Sequence, residues 1–523
     1  MTAPSVTPRV RANELLARDW DVIVVGAGIG GLLCASMLAR YAKLRVLVLE
    51  RHYELGGLSQ TFRRPNYRWE VGVHYVGEMG EGRLIRRAVD LACDRRIEWA
   101  QLPSARDRLI TPEINARLGG DRDALRRQWL AIAPGEERAI DWFLDAVIEC
   151  ARLAPAHFVS RLSRASSRPK RSPFLSWSDR TSASVIEESG ASPRLAALMS
   201  YPWTTYGLPP TESSFAALAA TAAHYLHGAF HPIGGGSALS TAIADTISNA
   251  GGAVVVRAEV ARLACANGRA TGVVLSDGTE ARAPIVVSAV GAWGTFSWLA
   301  PDDHAMRERV RAIGPSGCHV ALYLGIKRSP RALGLDGANL FIRRDRVDHT
   351  HRDCEQWCDG DADEPPDLYL STACAIDPSF EARYPGRTAI IAASGASLAS
   401  FARWENTRRG HRGAAYNERK ARLTESMLRV IRRHLSLDAL EHVELSTPLS
   451  TRDFCAHPSG EIYGLAPTPA RFRDGPGPWT STEGLFLTGQ DVWSTGVAGA
   501  IAGGVLTACA ITKRDLFARI AMR

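Results

Sequence analysis

Glycines at 26, 28 and 31 and a glutamate at 50 are the residues whose types and spacing best suit a phosphorylated ligand. They lie in DWDVIVVGAGIGGLLCASMLARYAKLRVLVLERHYELGG. The run 22–25 is continuously apolar and reads as a strand. A helical pattern follows from Gly30 to 41, and a second strand over 45–49 ends in Glu50. In such a βαβ unit Gly26 permits the tight turn, Gly28 lets a pyrophosphate approach the backbone, and Gly31 lets the helix pack closely. The helix N-terminus offers free N–H groups and a partial positive charge to the phosphates. Glu50, 24 positions after Gly26, is placed to accept hydrogen bonds from a ribose diol. A bare glycine triplet would say little. The whole unit, in its required context, specifies a dinucleotide site.

A second set of reactive types follows in GVHYVGEMG, residues 72–80. His74 and Tyr75 stand between Gly72 and Gly77, and two readings fit them. They are a core histidine and a packed tyrosine, or they form the floor of an active site. SYPWTTYGLPP sets Tyr201 and Tyr206 around Trp203 ahead of a proline-fixed turn. Such an aromatic stripe suits a core or a tunnel wall as well as a proton donor. His224 is a further candidate acid. In HTHRDCEQWCDGD, His349, His351, Cys354 and Cys358 are zinc-ligand types. Their spacing matches no common structural site, and the expectation is a polar surface loop without metal.

The elements that must hold these residues belong to a chain of 523 residues, long enough for two or more intimately joined domains. Its 46% hydrophobic and 23% charged residues are ordinary for a soluble protein. The net charge of +8 is carried mostly by arginine and spread along the chain, a bias typical of a GC-rich genome. No nucleic-acid module accompanies it. The basic run RLSRASSRPKRSP, 161–173, reads as a solvated loop or as a contact with an anionic membrane. Ten cysteines without a framework and an opening MTAPSVTPRV without an apolar signal region favour a reducing, cytoplasmic setting. The apolar run 497–511 falls short of the ~20 residues of a spanning helix and reads as a buried one.

Further segments extend the nucleotide site. In ERHYELGGLSQ, the Gly56-Gly57 pair after Arg51 resembles the flavoprotein pattern, in which the chain turns back along an extended FAD, so Arg51, Gly57 and Leu58 join the expected site. A helix over 237–249, a strand over 253–257 and a hairpin turning at Asp277-Gly278 into a strand over 285–288 follow, with Val260 a backbone partner for adenine. LFLTGQDVWSTGVAGAIAGG supplies a strand over 485–488, an exposed Gly489, Asp491 beside the ribityl or pyrophosphate region, and a helix from Gly496 and Val497. That helix start suits the electron-poor carbonyl edge of a flavin. No second glycine fingerprint follows a strand, so the flavin's reductant is expected to be external. The FAD-binding domain is then discontinuous, over 19–110, 232–300 and 471–523. The intervening 111–231 and 301–470 are too long for loops and form a substrate domain.

With these residues laid out, the chain resembles the retinol saturase branch of the phytoene desaturase and carotenoid isomerase flavoproteins, from residue 21 to about 516. The specific stretches are GVHYVGEMGEG, LMSYPWTTYGLPPTESSF, HYLHGAFHPIGGGS, ARYPGRTAIIAAS and PLSTRDFCAHPSGEIYG, none of which FAD binding demands. The resemblance implies a glutathione-reductase-like FAD-binding Rossmann domain in an α/β fold, with a mixed α+β substrate domain above it. It also implies FAD and hydride chemistry on C=C bonds of hydrophobic polyenes or isoprenoids. It sets the 72–80 stretch beneath the isoalloxazine, with Gly72 and Gly77 letting backbone crowd the ring. His74, Tyr75 and Tyr206 are then the expected proton-handling residues. Animal saturases carry an N-terminal targeting segment that this sequence lacks, and 343–366 departs from the family, so the substrate need not be retinol. Saturation is the simplest reading, with desaturation or redox-neutral isomerisation as alternatives. A non-enzymatic carrier of prenylated or lipidic ligands is a third. Peripheral membrane contact suits such substrates.

Overall fold

The computed structural model describes residues 6–163, 172–344 and 350–522, apart from the side chain of His351. The apolar runs read as strands are strands, at Val22–Val25, Val46–Glu50, Ala253–Val256, Ile285–Ser288 and Leu485–Leu487. With Val6–Pro8, which the sequence reading missed, they form one six-stranded parallel sheet. Strands buried on both faces need no alternation, which is why their sequences are near-continuous Val, Ile and Leu. One face carries the helices Ile29–Tyr41, Gly236–Asn249 and Gly496–Thr512, through a core that includes Leu32, Ile243 and Val505. The other carries the antiparallel strands Val260–Ala266, Arg269–Leu275 and Glu280–Arg282, through Ile23, Leu49, Val255 and Val273. The expected turn at Asp277-Gly278 joins the last two of these.

Above this unit lies a seven-stranded mixed sheet. Its order is Leu440–Ser446, Cys318–Ile326, Thr388–Ala396, Asp367–Ser371, Asn339–Arg343, Asp107–Ile110 and Asn115–Leu118. The strand Asp107–Ile110 therefore pairs in the upper sheet, although it falls within 19–110 of the sequence. Alternation governs here. Val320, Leu322 and Leu324 face a core closed by the helices His351–Asp359 and Ala414–Arg432. His319 and Ala321, like Asp367 and Tyr369 two strands away, line a cavity on the opposite face. Helices at Glu137–Ser160, Pro193–Ser200 and Phe215–His224 complete the upper unit.

Cys354 and Cys358 lie on the helix His351–Asp359 and are buried, where a polar surface loop was expected. The helix is amphipathic, and its apolar face carries Trp357 into the sheet's core. His349 lies outside the described residues. Among the described residues no three His, Cys, Asp or Glu side chains gather as a metal site. The run 497–511 lies within the helix Gly496–Thr512, and no helix among the described residues is long and apolar enough to cross a membrane. Of the basic run, 164–171 lies outside the described residues.

The first and last segments meet where glycines replace side chains. A Cβ on Gly504 would lie 2.7 Å from the Gly30 carbonyl oxygen and 3.2 Å from the Cys34 nitrogen. Gly504→Val is therefore expected to destabilise the protein by ~3 kcal/mol, as overpacking against rigid backbone does. Urea unfolding measures it, and an unchanged midpoint would contradict the packing.

Candidate active site

The strand-to-helix turn builds the floor. Gly26 takes φ +97°, a value L side chains avoid. A Cβ on Gly31 would lie 2.5 Å from the Gly26 oxygen and 2.7 Å from the Ala289 Cβ, so this glycine admits the neighbouring strand's end as well as its own turn. Gly30 does the same for the last segment, with Gly489 Cα at 2.6 Å. At Gly28, Gly489 and Gly496 a Cβ would meet nothing within 4 Å. These three line a single cavity of about 1550 Å³. The hollow suits an elongated ligand running along bare backbone.

Glu50 is buried at the end of its strand. Its two carboxylate oxygens accept the N–H groups of Ala27 at 2.8 Å and His52 at 2.7 Å. A carboxylate has about four acceptor sites, so roughly two remain for hydroxyls. Burial raises its pKa, and the backbone donors oppose that shift. Arg51, Gly57, Leu58, Val260 and Val497 line the same cavity. The helix Gly496–Thr512 has no side-chain cap from Thr495, and Gly496 donates its N–H to Gln490 Oε1 at 3.1 Å. Asp491 lines the same cavity, with its carboxylate held by backbone. Its carboxylate accepts the N–H groups of Ala292 at 2.7 Å and Leu465 at 2.8 Å, with buried Arg471 at 3.6 Å. It ties three loops together beneath the cradle.

The cavity continues under the upper sheet. His74, Tyr75, Tyr225, His319, Tyr369 and Tyr463 line this part. The His74 and Tyr369 rings are 5.2 Å apart, and those of Tyr75 and Tyr225 are 4.6 Å apart. The Nδ1 atoms of His74 and His319 are buried without a partner, a condition native interiors rarely leave unanswered. Burial lowers the His74 pKa to about 3 and that of His319 to about 4, with each other's proximity adding to the shift at His74. Burial pushes Tyr75, Tyr225 and Tyr369 well above the usual phenol range. His224 accepts the Gly77 N–H on Nε2 at 2.7 Å, which fixes its tautomer and occupies that nitrogen. Leu84, Ile148 and Val159 line the cavity and are 40%, 38% and 38% exposed, so they mark its opening.

The structure separates some residues that the sequence grouped. Tyr206 is fully buried, has its hydroxyl 3.4 Å from Ser213, and does not line the cavity. Tyr201 donates to Asp107 at 2.9 Å, also away from it. The 3₁₀ turn Tyr201–Thr205 presents Trp203, Thr204 and Thr205 to the cavity and turns both tyrosines into the core. Gly72 and Gly77 admit protein backbone: a Cβ would lie 2.9 Å from the Leu58 oxygen and 2.0 Å from the His224 oxygen respectively. His319, Tyr225, Tyr369 and Tyr463 were missed. The alternation of CHVALYLGI and DLYLS carried the signal for two of them, because polar or aromatic residues there interrupt an apolar face.

Residues 24–90 match the family described as NAD(P)-binding Rossmann-like domain. Over 98% of its length the chain is 31% identical to human all-trans-retinol 13,14-reductase, covering 90% of that protein. The chain belongs to the all-trans-retinol 13,14-reductase family. More distantly, it is 23% identical to the chloroplastic prolycopene isomerase of Arabidopsis thaliana over 97% of its length and 86% of the relative's. A solved oxidoreductase from Methanosarcina mazei shares the fold, with 14% identity, 95% and 100% coverage of the two chains and a TM-score of 0.64. In this member of the reductase family, all five stretches that carried the resemblance reach one cavity, through His74, Trp203, His224, Ile391 and Tyr463.

Two expectations follow. Gly28→Val adds a side chain to the hollow where a Cβ meets nothing within 4 Å, so folding persists while the bound nucleotide cofactor is lost. Absorbance of the purified variant and its melting curve check both halves. Secondly, His74, His224 and His319 are neutral in the folded protein down to about pH 3 to 4, against 6.5 for a free ring. Between these values the unfolded chain binds more protons, so stability present above pH 6.5 is lost on acidification towards 4. His319→Asn should flatten the fall in melting temperature between pH 6.5 and 4.5.

Proposed function

We propose that the chain binds FAD along the glycine cradle and uses it in reduced form to saturate a C=C bond of a hydrophobic polyene or isoprenoid. The observation that carries this is the single cavity shared by the nucleotide cradle and an aromatic chamber. At about 1550 Å³ it exceeds the ~300–1,000 Å³ of ordinary small-molecule pockets, leaving room for a cofactor and a second molecule. Membership of the reductase family supports the reaction type.

Gly26, Gly28 and Gly57 would hold the pyrophosphate by backbone, Glu50 the ribose, and Val260 the adenine. The first turn of Gly496–Thr512 would bring partial positive charge to the ring system. FAD bound there would supply hydride. The chain's own part is to supply a proton, orient the polyene and exclude water. His74 and Tyr75 are the nearest assignments, with Tyr369 and Tyr225 beside them. His74 acts as a neutral imidazole, because its environment disfavours the cation. The tyrosines retain their protons throughout the neutral range.

One all-parallel sheet occurs among the described residues, which supports an electron donor outside this chain. The exposed apolar side chains at the opening, beside Arg83 and Arg152, support loading from a membrane surface. Kinship with a prolycopene isomerase keeps isomerisation as the second reading. A lipid carrier would need neither the open hollow at Gly28 nor Glu50.

Anaerobic incubation of the photoreduced protein with carotenoids, retinoids and unsaturated lipids tests the reaction. Products heavier by two hydrogens are expected, whereas unchanged mass with altered retention would assign the isomerase. Protein purified without a yellow chromophore would overturn both readings. NADPH alone is expected to reduce the flavin slowly, and stopped-flow reduction at catalytic speed would contradict the external donor.

A further inference from the structure

Behind the chamber wall, Glu70 ends the strand Tyr67–Glu70 and is buried. One carboxyl oxygen accepts the Gly236 N–H at 3.0 Å, and the other lies 4.0 Å from His231 Nε2. Gly235, at φ +79°, wraps the group so closely that a Cβ would lie 2.3 Å from the second oxygen. A separate cavity of about 20 Å³ is lined by Arg68, Glu70, His231, Ser371 and Asp377, enough for one water molecule. His231 Nδ1 and Ser371 Oγ, on residues that line it, are buried without a partner.

The charges around Glu70 are already matched. Arg68 pairs with Asp377 at 2.5 Å, both buried, and Asp377 also accepts the Ser379 N–H at 2.9 Å. Among the described residues Glu70 has no Lys or Arg within ion-pair distance, and His231 at 4.0 Å is its one such neighbour. Burial raises its pKa to about 8, with Asp377 adding to the rise and the Gly236 N–H and Arg68 opposing it. The carboxyl therefore holds a proton at neutral pH. His231 connects this group to the chamber. The adjoining Phe230 exchanges two backbone hydrogen bonds, at 2.8 and 2.9 Å, with Val76, two residues from His74. A charge on His231 would act on His74.

We propose that Glu70 and His231, joined by a water molecule in the small cavity, form a proton store that supplies His74 with the proton consumed in each saturation. This rests on the reductase reading. In that reaction the C=C π bond breaks and two C–H bonds form. Reduced FAD held in the cradle would supply the hydride, with both electrons, for one bond; the stored proton completes the other. Glu70 is left ionised beside the Gly236 N–H and Arg68, and regains a proton from water before the next turnover. A store is needed because a polyene filling the chamber displaces its water, and the tyrosines bind their protons tightly. A group titrating near the working pH serves this role best.

Glu70→Gln preserves size and an acceptor for Gly236. We expect unchanged flavin content and KM, kcat lower by ~100-fold, and a larger solvent deuterium isotope effect. In infrared difference spectra of the protein without substrate, a protonated-carboxyl band should be present at pH 7, titrate near pH 8 and vanish in the variant. An unchanged kcat and isotope effect, or an ionised Glu70 at pH 7, would overturn the store. Should Glu70→Gln fail to fold, His231→Gln must lower kcat, raise the isotope effect and keep the infrared band; otherwise the proposal falls. If the wild-type protein saturates no polyene, the reductase reading fails, while the infrared band still reports on Glu70.

Discussion

Where the helices Ile29–Tyr41 and Gly496–Thr512 cross, their backbones lie closer than a Cβ permits. A Cβ on Gly504 would stand 2.7 Å from the Gly30 oxygen, and one on Gly30 would stand 2.9 Å from the Ala500 oxygen. This contact fixes the geometry of everything above it. It brings the start of the last helix to the same cavity as the fingerprint turn, so residues about 470 positions apart line one surface. A pyrophosphate can be met there by N–H groups and helix ends. Larger side chains at the crossing would move the two halves of the cradle apart.

The chamber has a different logic. Imidazoles and phenols are buried next to one another with few counter-charges, so desolvation decides their protonation. The histidines lose the capacity to carry charge at neutral pH, and the tyrosines lose the capacity to ionise. Such a chamber stays neutral while presenting exchangeable protons, which suits an apolar substrate whose chemistry includes a proton transfer. Glu70 shows the same effect on a carboxyl: its pKa is raised where the nearby guanidinium is already committed to Asp377. The counterpart of this design is lower stability in acid, because each neutral histidine favours the unfolded chain once that chain can bind its proton.

Much of this was legible in the residues themselves. Gly26, Gly28, Gly31 and Glu50 lie within one βαβ unit, where local spacing fixes mutual position, and the resemblance of the middle stretches gave the family. His74 and Tyr75 could be singled out because a polar aromatic pair between glycines is unusual in a linker. Tyr206 and Tyr201 misled, because a 3₁₀ turn rotates successive side chains by about a third of a turn and presents Trp203 instead. No local pattern announces that outcome.

The sequence by itself determined the parallel sheet, the phosphate-binding turn and the kinship, since each depends on short-range periodicity or on runs of residues read directly. Tertiary structure alone decided that Asp491 ties loops together, that Gly77 admits the His224 backbone, and that His319 and Tyr369 from separate strands line the cavity with His74. It also decided that Glu70 is buried beside His231 and near an Arg68 already paired with Asp377. These are contacts between distant segments, and their energies depend on burial and on which charges are already paired. Neither quantity exists until the chain has folded.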